Sequence, residues 1–177
     1  MSIGLKRGAV ILEDYDSNWK IEANKTINLL KNILSDRYVA IEHVGSTAII
    51  GFKAKPIIDI AVGINDYDLI LDVKDELESN NIILRNDDRP RELLFCIGDY
   101  SDNFVTHHIH VVLYDTEEFK KYIDFRDCLN NNVELRNEYL KEKERLEKLY
   151  SNDRKQYTKE KSIIIEKILN EYRKYPQ

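Results

Sequence analysis

A cluster of histidines is the first feature of the chain that points to chemistry. Three of the four histidines lie within the four residues from His107 to His110. On a β-strand, His108 and His110 point to one face of the sheet and His107 points to the other. Two imidazoles at this spacing can ligate one metal ion, or one can act as a base near neutral pH. We therefore predict His108 and His110 as metal ligands and His110 as a catalytic residue. The structural alternative is a half-buried, hydrogen-bonded His110 with an exposed His107.

A single carboxylate interrupts the most apolar segment of the chain. Asp59 is the one charged residue in the run 57–62, which is typical of a central strand. A buried carboxylate is costly unless it is paired or bound to a cation. We predict that Asp59 holds a divalent cation bridging phosphate groups and takes part in catalysis. The alternative is a structural ion pair with Lys55.

A small-residue turn precedes this run. Gly45, Ser46 and Thr47 carry little side-chain bulk, so their backbone N–H groups can approach phosphate oxygens, and two hydroxyls add donors. Lys55 follows in the same loop and is predicted to neutralise the phosphate charge. An ordinary turn is the alternative, because a single Gly-Ser pair is common.

Hydrophobic spacing divides the chain into a strand-rich body, residues 1–115, and a helical C-terminal part, residues 116–177. Apolar residues at three- and four-residue spacing predict helices over 19–34 and 69–77. The β-prone runs predict strands at 38–44, 57–62, 82–84, 93–97 and 105–114. Three further helices follow in the C-terminal part. This order of elements predicts a single α+β domain over 1–177.

Composition and charge exclude several classes of protein. With 42% hydrophobic and 33% charged residues among 177, the chain is typical of a globular protein. No apolar run approaches a transmembrane span and no signal peptide is recognisable, so we expect a cytoplasmic location. The body has 12 basic and 19 acidic residues, which argues against nucleic-acid binding. Cys96 and Cys128 fit no disulfide framework and are predicted to be buried thiols.

These motifs together resemble the GrpB-like family. The resemblance is carried, in chain order, by Ile41–Ala48, Gly51, Lys55–Ile60, His108–Val111, Phe125–Asp127 and Tyr157–Lys161. It extends from about Val10 to Leu169. It implies a nucleotidyltransferase-like fold, in which helices pack on a mixed, twisted sheet.

The nucleotidyltransferase pattern places a Gly-Ser turn before two acids at i and i+2 on the next strand, and a third acid on a later strand. The turn and Asp59 match this pattern. Ala61, however, stands at the second acid, and His108 and His110 stand on the later strand. The nearby Glu42 could replace the missing acid, but on its strand it would face the same side as Val44. One carboxylate with two imidazoles suits Zn²⁺ or Mn²⁺, or no metal, better than a pair of Mg²⁺ ions.

We therefore expect a nucleotidyltransferase-like protein that binds a nucleotide or another phosphorylated small molecule, with Mg²⁺, Mn²⁺ or Zn²⁺ as the divalent metal. As an enzyme it would transfer or hydrolyse a phosphoryl or nucleotidyl group. The alternative is a regulatory module that keeps the pocket but has lost the chemistry. Tyr157 and Lys161 share a helix face and are expected to reach the pocket or to cover it. Arg126 and Asp127 are expected to form an ion pair with the body, and the sequence leaves the oligomeric state open.

Overall fold

The structure, a computed structural model, describes residues 3–85 and 90–174. Its strands are β1 Leu5–Lys6, β2 Ala40–Val44, β3 Ile58–Ile64, β4 Ile83–Arg85, β5 Leu93–Asp99 and β6 Phe104–Leu113. Its helices are α1 Asn18–Leu34, α2 Asp68–Leu71, α3 Lys74–Ser79, α4 Glu117–Asn131, α5 Val133–Leu149 and α6 Arg154–Lys174. A single-turn 3-10 helix at Ser46–Ala48 lies between β2 and β3.

The described strands form one mixed sheet in the order β2-β3-β6-β5-β4, and β1 pairs with β6. Strands β3 and β6 are parallel, whereas the other pairs are antiparallel. The parallel register places Asp59 opposite His108 and Ala61 opposite His110. Since paired residues share a face of the sheet, Asp59 and both imidazoles lie on the same side. The predicted α+β class, with a mixed sheet and packed helices, is confirmed.

The two faces of the sheet have different partners. On one face, Ile58 and Ile60 pack with Trp19 and Leu30 of α1 in the largest hydrophobic core. On the opposite face, Ala61 packs in a small cluster against α4. Because side chains alternate along a strand, Asp59 points away from the large core and toward α4. This alternation keeps the polar cluster apart from the apolar interior.

The C-terminal helices pack on each other and on the loop that follows the 3-10 helix. Phe52 of this loop stacks on Tyr139 of α5 with ring centroids 5.6 Å apart, and Phe125 of α4 meets Tyr139 edge-on at 5.1 Å. Ile168 and Leu169 of α6 join the same cluster. The helical part therefore covers the loop that carries the predicted phosphate-binding residues.

Two features of the elements bear on the predictions. The single helix predicted over 69–77 is two short helices, α2 and α3, because the chain leaves helical geometry at the β-branched Val73. Cys96 and Cys128 are buried free thiols, as predicted. Among the described residues, no helix combines the length and apolar character needed to cross a membrane.

Candidate functional site

The carboxylate and two of the histidines singled out by the sequence meet at one point. Asp59 Oδ1 lies 3.1 Å from His108 Nδ1 and 3.4 Å from His110 Nε2. One ligand atom from each of the three side chains lies within 4.8 Å of the others. The meeting follows from the parallel pairing of β3 with β6. We call Asp59, His108 and His110 the cation cluster.

Glu92, which was not predicted from the sequence as a site residue, contacts the cation cluster through His110. Its Oε1 atom lies 2.6 Å from His110 Nδ1, and its Oε2 atom accepts a hydrogen bond of 3.2 Å from the Tyr122 hydroxyl. The β5–β6 register pairs Leu94 with His110, and Glu92 lies two residues before Leu94 on the same face. No spacing within the sequence signals this contact, because it depends on the pairing of β5 with β6.

Burial and hydrogen bonding act differently on the three members of the cation cluster. Burial alone would raise the pKa of Asp59, but hydrogen bonds from His108 and His110 hold it well below its usual value. Burial lowers the pKa of His108, and Asp59 only partly opposes this effect. Burial also disfavours charge on His110, but its bonds to Asp59 and Glu92 outweigh burial and raise its pKa. The two imidazoles are therefore electrostatically unequal.

The donor set fits a small divalent cation. Ligand bonds of about 2.1 Å in tetrahedral geometry separate the ligand atoms by about 3.4 Å. The separations of 3.1 and 3.4 Å around Asp59 Oδ1 are close to this value and are also ordinary hydrogen-bond lengths, and all three ligand atoms lie within 4.8 Å of one another. Glu92 meets the second nitrogen of His110, as carboxylates do for metal-bound histidines. One carboxylate and two imidazoles favour Zn²⁺ or Mn²⁺ over Mg²⁺.

The turn residues have three different placements. Gly45 has a φ of 69°, and a Cβ there would lie 2.5 Å from Asp59 Oδ2, so glycine is needed to let the backbone approach the carboxylate. Ser46 lines the pocket described below. Thr47 does not reach it, since the residue is only 2% exposed and its hydroxyl contacts His43 Nε2 at 3.0 Å. The structure therefore does not support the predicted phosphate contact of Thr47.

A pocket of about 560 Å³ opens between the cation cluster and the C-terminal helices. This volume is in the range of small-molecule sites. Its lining includes Ser46 and Lys55 from the loop, the cation cluster and Glu92 from the sheet, and Lys143, Tyr157 and Lys161 from α5 and α6. Tyr157 and Lys161, which the sequence left either reaching or covering the pocket, both line it.

Three lysines of the pocket have no carboxylate within ion-pair distance among the described residues. We call Lys55, Lys143 and Lys161 the lysine cluster. Lys55 Nζ lies 5.2 Å from the ring centroid of Tyr157. The ion pair of Lys55 with Asp59, considered from the sequence, is not formed.

Lys143 is the most enclosed member of the lysine cluster. The residue is only 2% exposed, and its ammonium donates a hydrogen bond of 3.0 Å to the Lys53 carbonyl. It also lies 4.7 Å from the ring centroid of Phe52. Burial, with the charges of Lys161 and Lys55, lowers its pKa well below the usual value. Burial, with Lys161 and Arg154, likewise lowers the pKa of Lys55 to about 7.

Two further predicted residues lie outside the pocket. Arg126 forms the expected ion pair with the body, through Glu42 of β2 at 2.8 Å, and it also binds its neighbour Asp127 at 2.7 Å. Glu42 therefore does not take the place of the second acid. His107 lies on the opposite face from His108 and His110, as alternation predicts, and there it faces α1. The exposed His107 of the structural alternative is not observed. His107 is 8% exposed and hydrogen-bonded to Thr26 at 3.1 Å, because α1 covers that face of the sheet.

The fold and the site define an α+β protein in which a carboxylate–imidazole cluster shares a pocket with three lysines. This chain belongs to the GrpB family: the pattern of the family described as GrpB protein matches residues 9–171. The resemblance seen in the sequence is thus confirmed.

Individual proteins agree with this assignment. The chain is 35% identical over 178 residues to the Glutamate-rich protein GrpB of Alkalihalophilus pseudofirmus, covering 96% of this chain and 99% of that protein. The crystal structure of the conserved protein GrpB from Enterococcus faecalis has a similar fold, with a TM-score of 0.81, 24% identity, and coverage of 92% and 99%. A weaker likeness, with a TM-score of 0.44, 13% identity and coverage of 72% and 42%, is to Cid1 in complex with its short product ApU.

Proposed function

We propose that the pocket binds a nucleotide or another phosphorylated small molecule together with a divalent cation. One observation carries this proposal: a cation cluster and a lysine cluster without carboxylate partners line the same hollow. A phosphorylated ligand with its metal ion uses both kinds of group, because the metal needs carboxylate or imidazole ligands and the phosphate needs cationic donors. The pocket's size accords with a small molecule.

The residues have distinct roles in this proposal. Asp59 and the two imidazoles hold the cation, which when bound would polarise a phosphoryl oxygen. Glu92 accepts the Nδ1 proton of His110 and so directs Nε2 toward the cluster. The C-terminal helices cover the pocket and limit the access of water. If the protein is an enzyme, these parts suit the transfer or hydrolysis of a phosphoryl or nucleotidyl group.

A second candidate function is a regulatory module that binds the same ligand without turnover. The observation that favours it is Ala61, which is fully buried and packs in the apolar cluster against α4. A second carboxylate at this position would lie among apolar side chains. The site therefore holds fewer acids than two-metal phosphoryl transfer uses.

The test is a thermal-shift screen with nucleotides and sugar phosphates, each with and without Mg²⁺, Mn²⁺ and Zn²⁺. A ligand at 100 times its Kd stabilises the folded state by about 2.7 kcal/mol, which raises the Tm by roughly 5–10 °C. We expect such a shift for at least one phosphorylated compound, larger with metal than without. No shift across the panel would contradict the proposal.

The variant Asp59→Asn separates the two candidate functions. It keeps the side-chain shape but removes the charge that holds the cation, so an enzyme would lose turnover of the compound found in the screen. A binding module would keep its ligand, or bind it more tightly, because repulsion between two anions falls. Asp75→Asn, on an exposed position of α3, is the matched control and is expected to behave like the wild type.

A further inference from the structure

The Gly-Ser turn is poorly arranged to receive a phosphate. The Thr47 hydroxyl is engaged by His43 and by the carbonyl of Ile57. Gly45 packs directly against the Asp59 carboxylate, so an anion placed on this backbone would face a negative charge. Only Ser46 remains as a side-chain donor that lines the pocket.

The helical side of the pocket has more basic than acidic side chains, since Lys121, Lys143, Arg154 and Lys161 line it beside Glu118 and Glu166. The Tyr157 side chain is fully buried, lines the pocket, and its hydroxyl has no hydrogen-bond partner among the described residues. A buried hydroxyl without a partner is unfavourable until some group accepts its proton. An acceptor that enters the pocket beside the lysine cluster would satisfy this buried hydroxyl.

Two members of the lysine cluster lie close to the Tyr157 side chain. Lys55 lies over the ring of Tyr157, and Lys161 is one helical turn from Tyr157 on α6. Lys143 approaches from α5. Burial and the charge of Lys161 lower the pKa of both Lys55 and Lys143, and an anion bound among them would favour their protonated forms. In those forms the three lysine side chains, together with the phenol, present donors of the kind that phosphate oxygens accept.

We infer that the phosphate group of the ligand is held on the helical side of the pocket, by the lysine cluster and the Tyr157 hydroxyl, and not by the Gly-Ser turn. The chemical class is a dianionic phosphate, either a monoester or the end of a phosphoanhydride. This inference rests on the proposed function and specifies how the ligand is oriented. The turn then serves the cation cluster, because the absence of a side chain at Gly45 leaves room for the Asp59 carboxylate.

The experiment measures the Kd of inorganic phosphate and of AMP by isothermal titration calorimetry at pH 7. Lys161→Gln and Tyr157→Phe probe the helical side, and Ser46→Ala probes the turn. Lys159→Gln, on an exposed position of the same helix, is the matched control. A hydrogen bond to a charged group corresponds to about tenfold or more in affinity. We expect such a loss for Lys161→Gln and Tyr157→Phe, and less than about twofold for Ser46→Ala and Lys159→Gln.

The outcomes separate this inference from the proposed function. A large loss for Ser46→Ala, with little change for Lys161→Gln and Tyr157→Phe, would place the phosphate at the turn and overturn the inference while leaving the proposed function intact. Absence of binding of both probes to the wild type, together with no shift in the thermal screen, would overturn both. Because Tyr157→Phe removes only a hydroxyl without a partner, its fold is expected to persist, as an unchanged Tm without ligand would verify.

Discussion

The cation cluster and the lysine cluster lie in one pocket but differ in how their charges are compensated. In the cation cluster, Asp59 contacts both imidazoles, and Glu92 compensates His110 from the other side. In the lysine cluster, burial and the neighbouring lysine charges lower the pKa of Lys55 and Lys143, with no carboxylate within ion-pair distance among the residues described. The first arrangement is ordered by its own hydrogen bonds, whereas the second has no ion pair of this kind.

This difference separates two ways of building a site. The sheet supplies fixed spacing, so strands β3 and β6 hold acid and imidazoles in register. The helices supply apolar packing strong enough to keep unfavourable groups in place, as Leu146 and Tyr157 do in their cluster with Val10. Groups that reduce stability yet persist in a pocket are typical of functional sites.

The largest effect is expected from removing the negative charge of Glu92, which compensates His110 in the cation cluster. Glu92→Gln removes the charge that orients and supports His110, so we expect the affinity for Zn²⁺ or Mn²⁺ to fall about 10- to 100-fold. Metal titration by calorimetry measures this. Glu134→Gln, exposed on α5, is the matched control. Unchanged metal affinity in Glu92→Gln would show that Glu92 does not support the cation cluster, and the contrast with the lysine cluster would then fail.

A smaller effect is expected from pH at the helical end. Burial lowers the pKa of Lys55 to about 7, and Lys161, Arg154 and Asp59 are the charged groups that act on it. Lys55 therefore loses its positive charge as the pH rises above 7. The phosphate of AMP keeps its charge in this range, because its second pKa is about 6. We expect AMP affinity to fall about tenfold between pH 7.0 and 8.5.

The matched variant for this pH effect is Lys55→Arg. Arginine stays protonated throughout the range, so the pH profile of AMP binding should become flatter. Calorimetry at several pH values gives both profiles. An equally steep fall in Lys55→Arg would mean that another group carries the titration, and a flat wild-type profile would show that Lys55 does not contribute to anion binding.

The smallest effect is expected on stability. Lys143→Met replaces a buried amine, whose pKa lies well below its usual value, by an apolar side chain of similar length. We expect the free energy of unfolding at pH 7 to rise by about 1 kcal/mol, while phosphate affinity falls. Urea denaturation measures the first quantity. Lys148→Met, exposed on the same helix, should leave stability nearly unchanged. Destabilisation by Lys143→Met would instead show that the hydrogen bond from Lys143 to the Lys53 carbonyl stabilises the fold.

The sequence by itself determined what depends on spacing along one element. Alternation along β6 places His108 and His110 on one face and His107 on the other, and an apolar run with one carboxylate predicts a central strand bearing Asp59. Helical periodicity predicts α1, and Thr116 caps α4 as its side chain suggests. These features follow from local geometry, which the order of residues contains directly.

Tertiary structure alone decided which elements meet. His110 and Glu92 come together only through the pairing of β5 with β6, and Lys143 enters the pocket only through the packing of α5 on the loop. Thr47 contacts His43 instead of lining the pocket, and α1 buries His107. Contacts between residues far apart in the chain depend on the free energy of the whole fold, so no local spacing could indicate them.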